Sequence, residues 1–113
     1  MLPKENRLRK AKEFQRAGAR NNRFVQEGLV LKRGAARPGP LKVGIVVSKK
    51  TAKKAVERNR IRRLLREAIR HDIAELKSGS DVVLIVLPGF GAENFLEVQE
   101  KVRRIFKKAL LFQ

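Results

Sequence analysis

Between positions 58 and 70 the chain reads R-N-R-I-R-R-L-L-R-E-A-I-R, and six of these residues carry a guanidinium: Arg58, Arg60, Arg62, Arg63, Arg66 and Arg70. Guanidinium forks hydrogen-bond phosphate in pairs and stay charged at any relevant pH, so the chemistry this stretch offers is recognition of a nucleic-acid backbone. Asn59 stands among them and both donates and accepts, which suits a sugar, a base edge, or the orientation of a neighbouring arginine. Lys49, Lys50, Lys53 and Lys54 precede the stretch. If they flank a helix start they add charge where the backbone already favours anions. The bland alternative is a solvated charged face. Such faces usually alternate in sign, whereas here only Glu57 and Glu67 offer counter-charge within the segment.

Other chemistry is sparse. The single histidine, His71, follows the arginines and reads as a partner of a helix C-terminus rather than a general base. Glu57 and Glu67 are spaced for pairing with arginines one turn away, and Asp81 reads as a turn residue before an apolar run. The chain has no cysteine, which excludes disulfides and thiolate sites. No carboxylate cluster, phosphate-binding glycine loop, nucleophile triad or zinc spacing is present. Phe14 lies beside Lys10, Lys12 and Arg16. It fits either a base-stacking aromatic among cations or a core anchor, and the residues alone leave both open.

These groups need elements to hold them. Ser48–Arg70 contains neither Gly nor Pro and is rich in helix formers, and Ser48 or Thr51 could cap its start. On a helix, Ile61, Leu64, Leu65, Ala68 and Ile69 form an apolar stripe, and Asn59, Arg62, Arg63, Arg66 and Arg70 share the opposite face, with Arg58 and Arg60 on its flanks. Before it, Leu41, Val43, Ile45 and Val47 alternate with Lys42, Gly44, Val46 and Ser48, the pattern of a strand with two different faces. Gly44, Val46 and Ser48 then form one row, where Gly44 could admit a close backbone. Phe24–Lys32 reads as another strand with a bulge at Gly28, and Lys10–Ala17 as a short helix. Met1–Arg9, carrying Arg7 and Arg9, reads as a basic arm ordered only in part. Arg33–Pro40 is a loop, and His71–Ser80 a linker. Asp81–Leu87 is a strand buried on both faces. Ala92–Leu111 is a last helix, with Phe95, Val98, Val102, Ile105, Phe106 and Ala109 on one stripe. The order α-β-β-α-β-α predicts an α/β (α+β) domain, a small sheet with helices packed on it.

The whole chain has 113 residues, which suits a single domain. With 28 Lys and Arg against 11 Asp and Glu, the net charge is +17. Such self-repulsion is best relieved by a polyanion, and nucleic acid is the first candidate. No apolar run is long enough to span a bilayer, and no basic helix carries large exposed aromatics for a membrane surface.

The segment V-S-K-K-T-A-K-K-A-V-E-R-N-R-I-R-R-L-L-R-E-A-I-R resembles the RNR motif of the bacterial ribonuclease P protein subunit, with Arg58-Asn59-Arg60 unaltered. The opening L-P-K-E-N-R-L-R-K-A-K-E-F-Q-R, the strand-like R-F-V and L-V-L, and D-V-V-L-I-V-L-P-G-F resemble that family in the same order, so the likeness spans nearly the whole chain. It implies a sheet with a left-handed β-α-β crossover through the arginine helix, as in the second domain of a small-subunit ribosomal protein. It implies a protein that assists a catalytic RNA in endonucleolytic removal of the 5′ leader from precursor tRNA. Mg²⁺ would be held mainly by the RNA and substrate, with one protein per RNA, no obligate homo-oligomer and a cytoplasmic setting. The leader would lie in a cleft walled by the first helix, a sheet face and the RNR helix, bordered by Phe14, Gly44, Val46 and Ser48. Many relatives carry further aromatics where Gly18 stands and near Glu27, so cations would carry more of the grip here. The competing reading is a structural RNA-binding protein such as a ribosomal one, which would not stimulate leader cleavage.

Overall fold

The alternating residues of Lys42–Val47 and the apolar run Asp81–Val86 lie side by side as parallel strands at the heart of the molecule. A computed structural model describes residues 2–8, 22–34, 38–91 and 93–113. The strands are β1 (Asn22–Gln26), β2 (Leu29–Arg33), β3 (Lys42–Val47) and β4 (Asp81–Val86), in the sheet order β1-β2-β4-β3. The β1–β2 and β2–β4 pairs are antiparallel, and β3–β4 is parallel. Register lines up Phe24, Leu31, Leu84 and Ile45 across one face, which belongs to the main core. The opposite face carries the row Val25, Val30, Ile85 and Val46, and beside it Arg23, Lys32, Val83 and Gly44. The expected N-terminal helix over Lys10–Ala17, with Phe14, Lys10, Lys12 and also Arg9 and Gly18, falls outside the described residues.

Helix α1 spans Ala55–Asp72 and links the two parallel strands, and α2 spans Phe95–Lys108. Both bury the stripes that their sequence spacing predicts. Ile61, Leu65, Ala68 and Ile69 of α1 are buried, as are Val98, Val102, Ile105 and Phe106 of α2, while Leu64 and Phe95 pack at the margin. Asn94 caps α2 by accepting from the Glu97 N–H at 2.9 Å. The two helices are strapped by Arg103, which donates to both oxygens of buried Asp72 at 2.8 and 3.0 Å.

Four local expectations are corrected. Phe24–Lys32 is two strands joined by a tight turn at Glu27 and Gly28, whose φ values of 50° and 81° are both in the left-handed region that a two-residue hairpin demands. Gly28 is also the only residue type that fits there, because a Cβ would stand 2.8 Å from the Phe90 Cα. The arginine helix begins at Ala55, not near Ser48. Ser48–Lys54 is instead a folded connection in which the Thr51 and Ala52 N–H groups both donate to the Ser48 carbonyl at 3.1 Å. Its N-cap, Lys54, supplies no capping side chain, and the Thr51 hydroxyl donates to the Val86 carbonyl at 2.8 Å. The supposed linker after Arg70 starts helical, through Asp72 and a 3-10 turn at Ile73–Glu75, and Asp81 is a buried strand residue rather than a turn. Residues 2–8 of the expected partly ordered arm pack onto the domain. Leu2 enters the core, the Asn6 side chain donates to the Leu41 carbonyl at 2.8 Å, and the Leu8 N–H donates to the Val43 carbonyl at 3.0 Å. Arg7 therefore runs along the outer edge of β3, bridged to Val43.

Candidate nucleic-acid interface

The connection into α1 presents Lys49, Lys50, Lys53 and Lys54, all exposed, and no carboxylate pairs with them among the described residues. The arginines that follow divide by what they touch. Arg58 turns back onto the protein, its Nη1 donating to the carbonyls of Ala52 at 3.0 Å and Lys53 at 2.7 Å. Arg60 grips Glu57, with Nη2 2.6 Å from Oε1 and Nε 3.2 Å from both oxygens. That carboxylate raises the Arg60 pKa above its ordinary value, and Arg60 lowers that of Glu57. Arg60 also lines a cleft with Thr51, Ile61, Phe90 and Glu93. Arg70 is paired too, at 2.6 and 3.0 Å from Glu67, whose pKa is lowered to about 2, with the Arg70 hydrogen bond as the largest cause. The arginines of the R-N-R signature, expected as phosphate ligands, thus have protein partners first.

The remaining guanidiniums of the outer face are not neutralised by the described residues. Arg62, Arg63 and Arg66 contact no carboxylate among the described residues, and Asn59 accepts from Arg62 Nη1 at 2.9 Å. Asn59 therefore orients an arginine and keeps its amide hydrogens for another acceptor. Arg66 is the most electrostatically stressed of the set. Burial pushes its pKa below the ordinary value, and Arg7 and Arg62 push it further the same way. The Nε of Arg7 is buried without a hydrogen-bond partner. Positive charges gathered and partly desolvated without counter-charge favour an anion between them.

The sheet face away from α1 and α2 holds the other expected residues. Val46 is 37% exposed, and Ser48 is exposed just beyond the end of β3. Gly44 is buried; Val83 stands opposite it and residues 7–8 pair along the other edge of its strand. Sequence reasoning missed Val25, 43% exposed at the far end of the Val46 row, and the cations Arg23 and Lys32 of the adjoining row. The signal that marks them is the two-residue alternation of β1 and β2, which a single strand over Phe24–Lys32 obscures. Glu27 sits in the hairpin turn and pairs with Arg104 at 2.6 Å.

A four-stranded mixed sheet backed by two helices, with an unneutralised arginine face and a lysine-rich entry loop, defines a small basic α/β protein of the RNA-binding class. The chain belongs to the ribonuclease P protein family: the family described as Ribonuclease P matches residues 2–110. The ribonuclease P protein component of Pseudanabaena sp. is 36% identical over 110 residues, covering 96% of this chain and 95% of that one. That of Clostridium acetobutylicum is 33% identical over 108 residues, covering 94% and 90%. The solved ribonuclease P protein of Staphylococcus aureus superposes with a TM-score of 0.83 at 25% identity, covering 97% of this chain and 100% of that chain. The Thermotoga maritima ribonuclease P protein in complex with 1-(4-fluorophenyl)-2-thiourea gives 0.78 at 27% identity, covering 89% and 97%. The chain is accordingly the protein subunit of an endoribonuclease complex, a ribonucleoprotein whose RNA is its partner. No helix among the described residues is long and apolar enough to cross a membrane.

Proposed function

We propose that this subunit grips phosphates of the complex through Arg62, Arg63, Arg66 and the lysine loop, and receives the single-stranded 5′ leader of precursor tRNA on the sheet face away from α1 and α2. The observation that carries the reading is the exposure of Val25 and Val46 at the two ends of one row of that face, with the cations Arg23 and Lys32 in the adjoining row; between the two ends Val30 is buried and Ile85 half-buried. Unpaired RNA is held by apolar or aromatic surface among cations, whereas a duplex offers its bases no such contact. By resemblance Phe14 serves the same leader. Five of the described carboxylates, Glu27, Glu57, Glu67, Asp72 and Glu100, are each engaged by an arginine. By the same resemblance Mg²⁺ is assigned mainly to the RNA and substrate, the protein works one per RNA, and the setting is cytoplasmic.

The test is reconstitution with a bacterial ribonuclease P RNA at low Mg²⁺ and fixed salt. The protein should stimulate leader cleavage, and Val46→Glu should weaken binding of precursor tRNA while leaving mature tRNA, which lacks a leader, unaffected. Equal loss for both RNAs would remove the sheet face from the leader site.

A further inference from the structure

Helix α1 starts without the device that usually fixes a helix start. Its N-cap is Lys54 in an extended conformation, whose side chain makes no capping hydrogen bond. The connection before it is crowded with four lysines that repel one another. One end of that connection is secured by the Thr51 and Ala52 N–H bonds to the Ser48 carbonyl and by the Thr51 hydroxyl on the Val86 carbonyl. The other end is secured by Arg58. Helical side chains tilt toward the N-terminus, and Arg58, one turn in, runs back over the helix start and spends Nη1 on the carbonyls of Ala52 and Lys53. A cation at a helix N-terminus opposes the dipole, so its place there depends on those two carbonyl oxygens.

We infer that Arg58, the first arginine of the R-N-R signature, is a positioning residue for RNA binding: its guanidinium clasps the Lys49–Lys54 connection onto the start of α1 and sets where the lysines meet phosphate. The inference rests on the reading of that connection as an RNA contact. It separates the signature into a part that shapes the protein, Arg58, and a part that faces outward, Arg62, Arg63 and Arg66. Asn59 bridges the two by orienting Arg62.

Two measurements on Arg58→Gln decide it. In the free protein, hydrogen exchange at the Thr51 and Ala52 amides should quicken about tenfold, the loss of a charged hydrogen bond, while the Leu65 and Ile69 amides keep their protection. Unchanged rates at 51 and 52 overturn the clasp, because a direct phosphate ligand does nothing in the absence of RNA. Affinity for a bacterial ribonuclease P RNA at fixed salt is then compared in two backgrounds, the parent and the combined Lys49→Gln, Lys50→Gln, Lys53→Gln and Lys54→Gln variant. Arg58→Gln should cost several-fold in the parent and less than about twofold in the lysine-free background, since a residue acting through others loses its effect when they are gone. Equal cost in both backgrounds makes Arg58 a direct ligand and overturns the inference. If the lysine-free variant binds as tightly as the parent, the loop is no RNA contact and the underlying reading falls, whatever the exchange rates show. Should Arg58→Gln unfold the domain, Arg58→Lys keeps the charge and loses the fork. Faster exchange and weaker binding with the charge intact support positioning, and parent-like values for both overturn it.

Discussion

Replacing Arg62, Arg63 and Arg66 together by Gln should change how RNA affinity depends on salt more than it changes the fold. Each phosphate contact contributes about 0.7–0.9 to the slope of log affinity against log salt. Three lost contacts should therefore flatten the slope by about 2–2.7 units. Between 50 and 200 mM salt the affinity deficit of the variant should consequently shrink by about 20- to 40-fold. The structure predicts no matching loss of stability. None of the three guanidiniums has a carboxylate partner among the described residues, and removing Arg66 relieves both its burial and its repulsion from Arg7 and Arg62. The control is the single change Arg70→Gln, which removes the same formal charge as Arg63→Gln. Arg70 is already neutralised by Glu67 at 2.6 Å, so its slope change should be the smaller. Filter-binding or fluorescence titrations with the ribonuclease P RNA at four salt concentrations, alongside thermal melts, give both quantities. An unchanged slope with a lowered melting temperature would show the three arginines to be structural and the outward face misassigned.

Leu65→Ala should act in the opposite sense, because Leu65 is fully buried at the centre of the α1 stripe. A loss of about 2–5 kcal/mol is expected, read as a melting temperature lower by about 10–30 °C for a domain of this size; a parent-like melt would mean the helix is rotated. Gly28→Ala must place a Cβ 2.8 Å from the Phe90 backbone at a φ of +81°, and should destabilise by about 1–3 kcal/mol in urea titration, whereas a neutral result would refute the tight hairpin. The carboxyls of Glu27, Glu57 and Glu67 are held below their ordinary values by hydrogen bonds from Arg104, Arg60 and Arg70 respectively. Groups depressed in the folded state stabilise it above the unfolded pKa and lose that contribution as pH falls. Melting temperature should accordingly decline from about pH 5 downward toward pH 2, and a flat profile over that range would remove these pairs from the stability of the fold.

How much of this was legible in the sequence follows from whether the signal was local. The α1 and α2 stripes are periodic over several turns, so Ile61, Leu65, Ile69, Val98, Val102 and Phe106 were identifiable without coordinates. The Glu57–Arg60 and Glu67–Arg70 pairs follow from one-turn spacing. The hairpin escaped because Glu27-Gly28 lacks the Asn or Asp that usually announces a two-residue turn, and apolar residues flank it on both sides. The late start of α1 escaped because Ser48 and Thr51 look like caps but spend their polar groups on the preceding turn and on β4. The burial of Gly44 and the docking of Arg7 beside β3 depend on the N-terminal segment returning to a strand some thirty-five residues away, a contact that no local pattern encodes. The inward turn of Arg58 is a choice between two faces of one guanidinium, and composition is silent on that choice.

The sheet order carries a consequence for synthesis. β4 lies between β2 and β3, although it is the last strand in the chain. A growing chain that has exposed residues up to Asp72 holds the β1–β2 hairpin and β3, but β2 and β3 are not neighbours, and the strand that joins them is still missing. The apolar stripe of α1 then lacks the sheet on which it rests, and an isolated helix of this length is marginal in water. Only when Asp81–Val86 emerges can the sheet zip on both sides and the helix dock, and only when Val98 to Phe106 follow is the core filled. The arginine face is therefore displayed in folded form only once Asp81–Val86 and the apolar stripe of α2 are available to complete the sheet and the core beneath it.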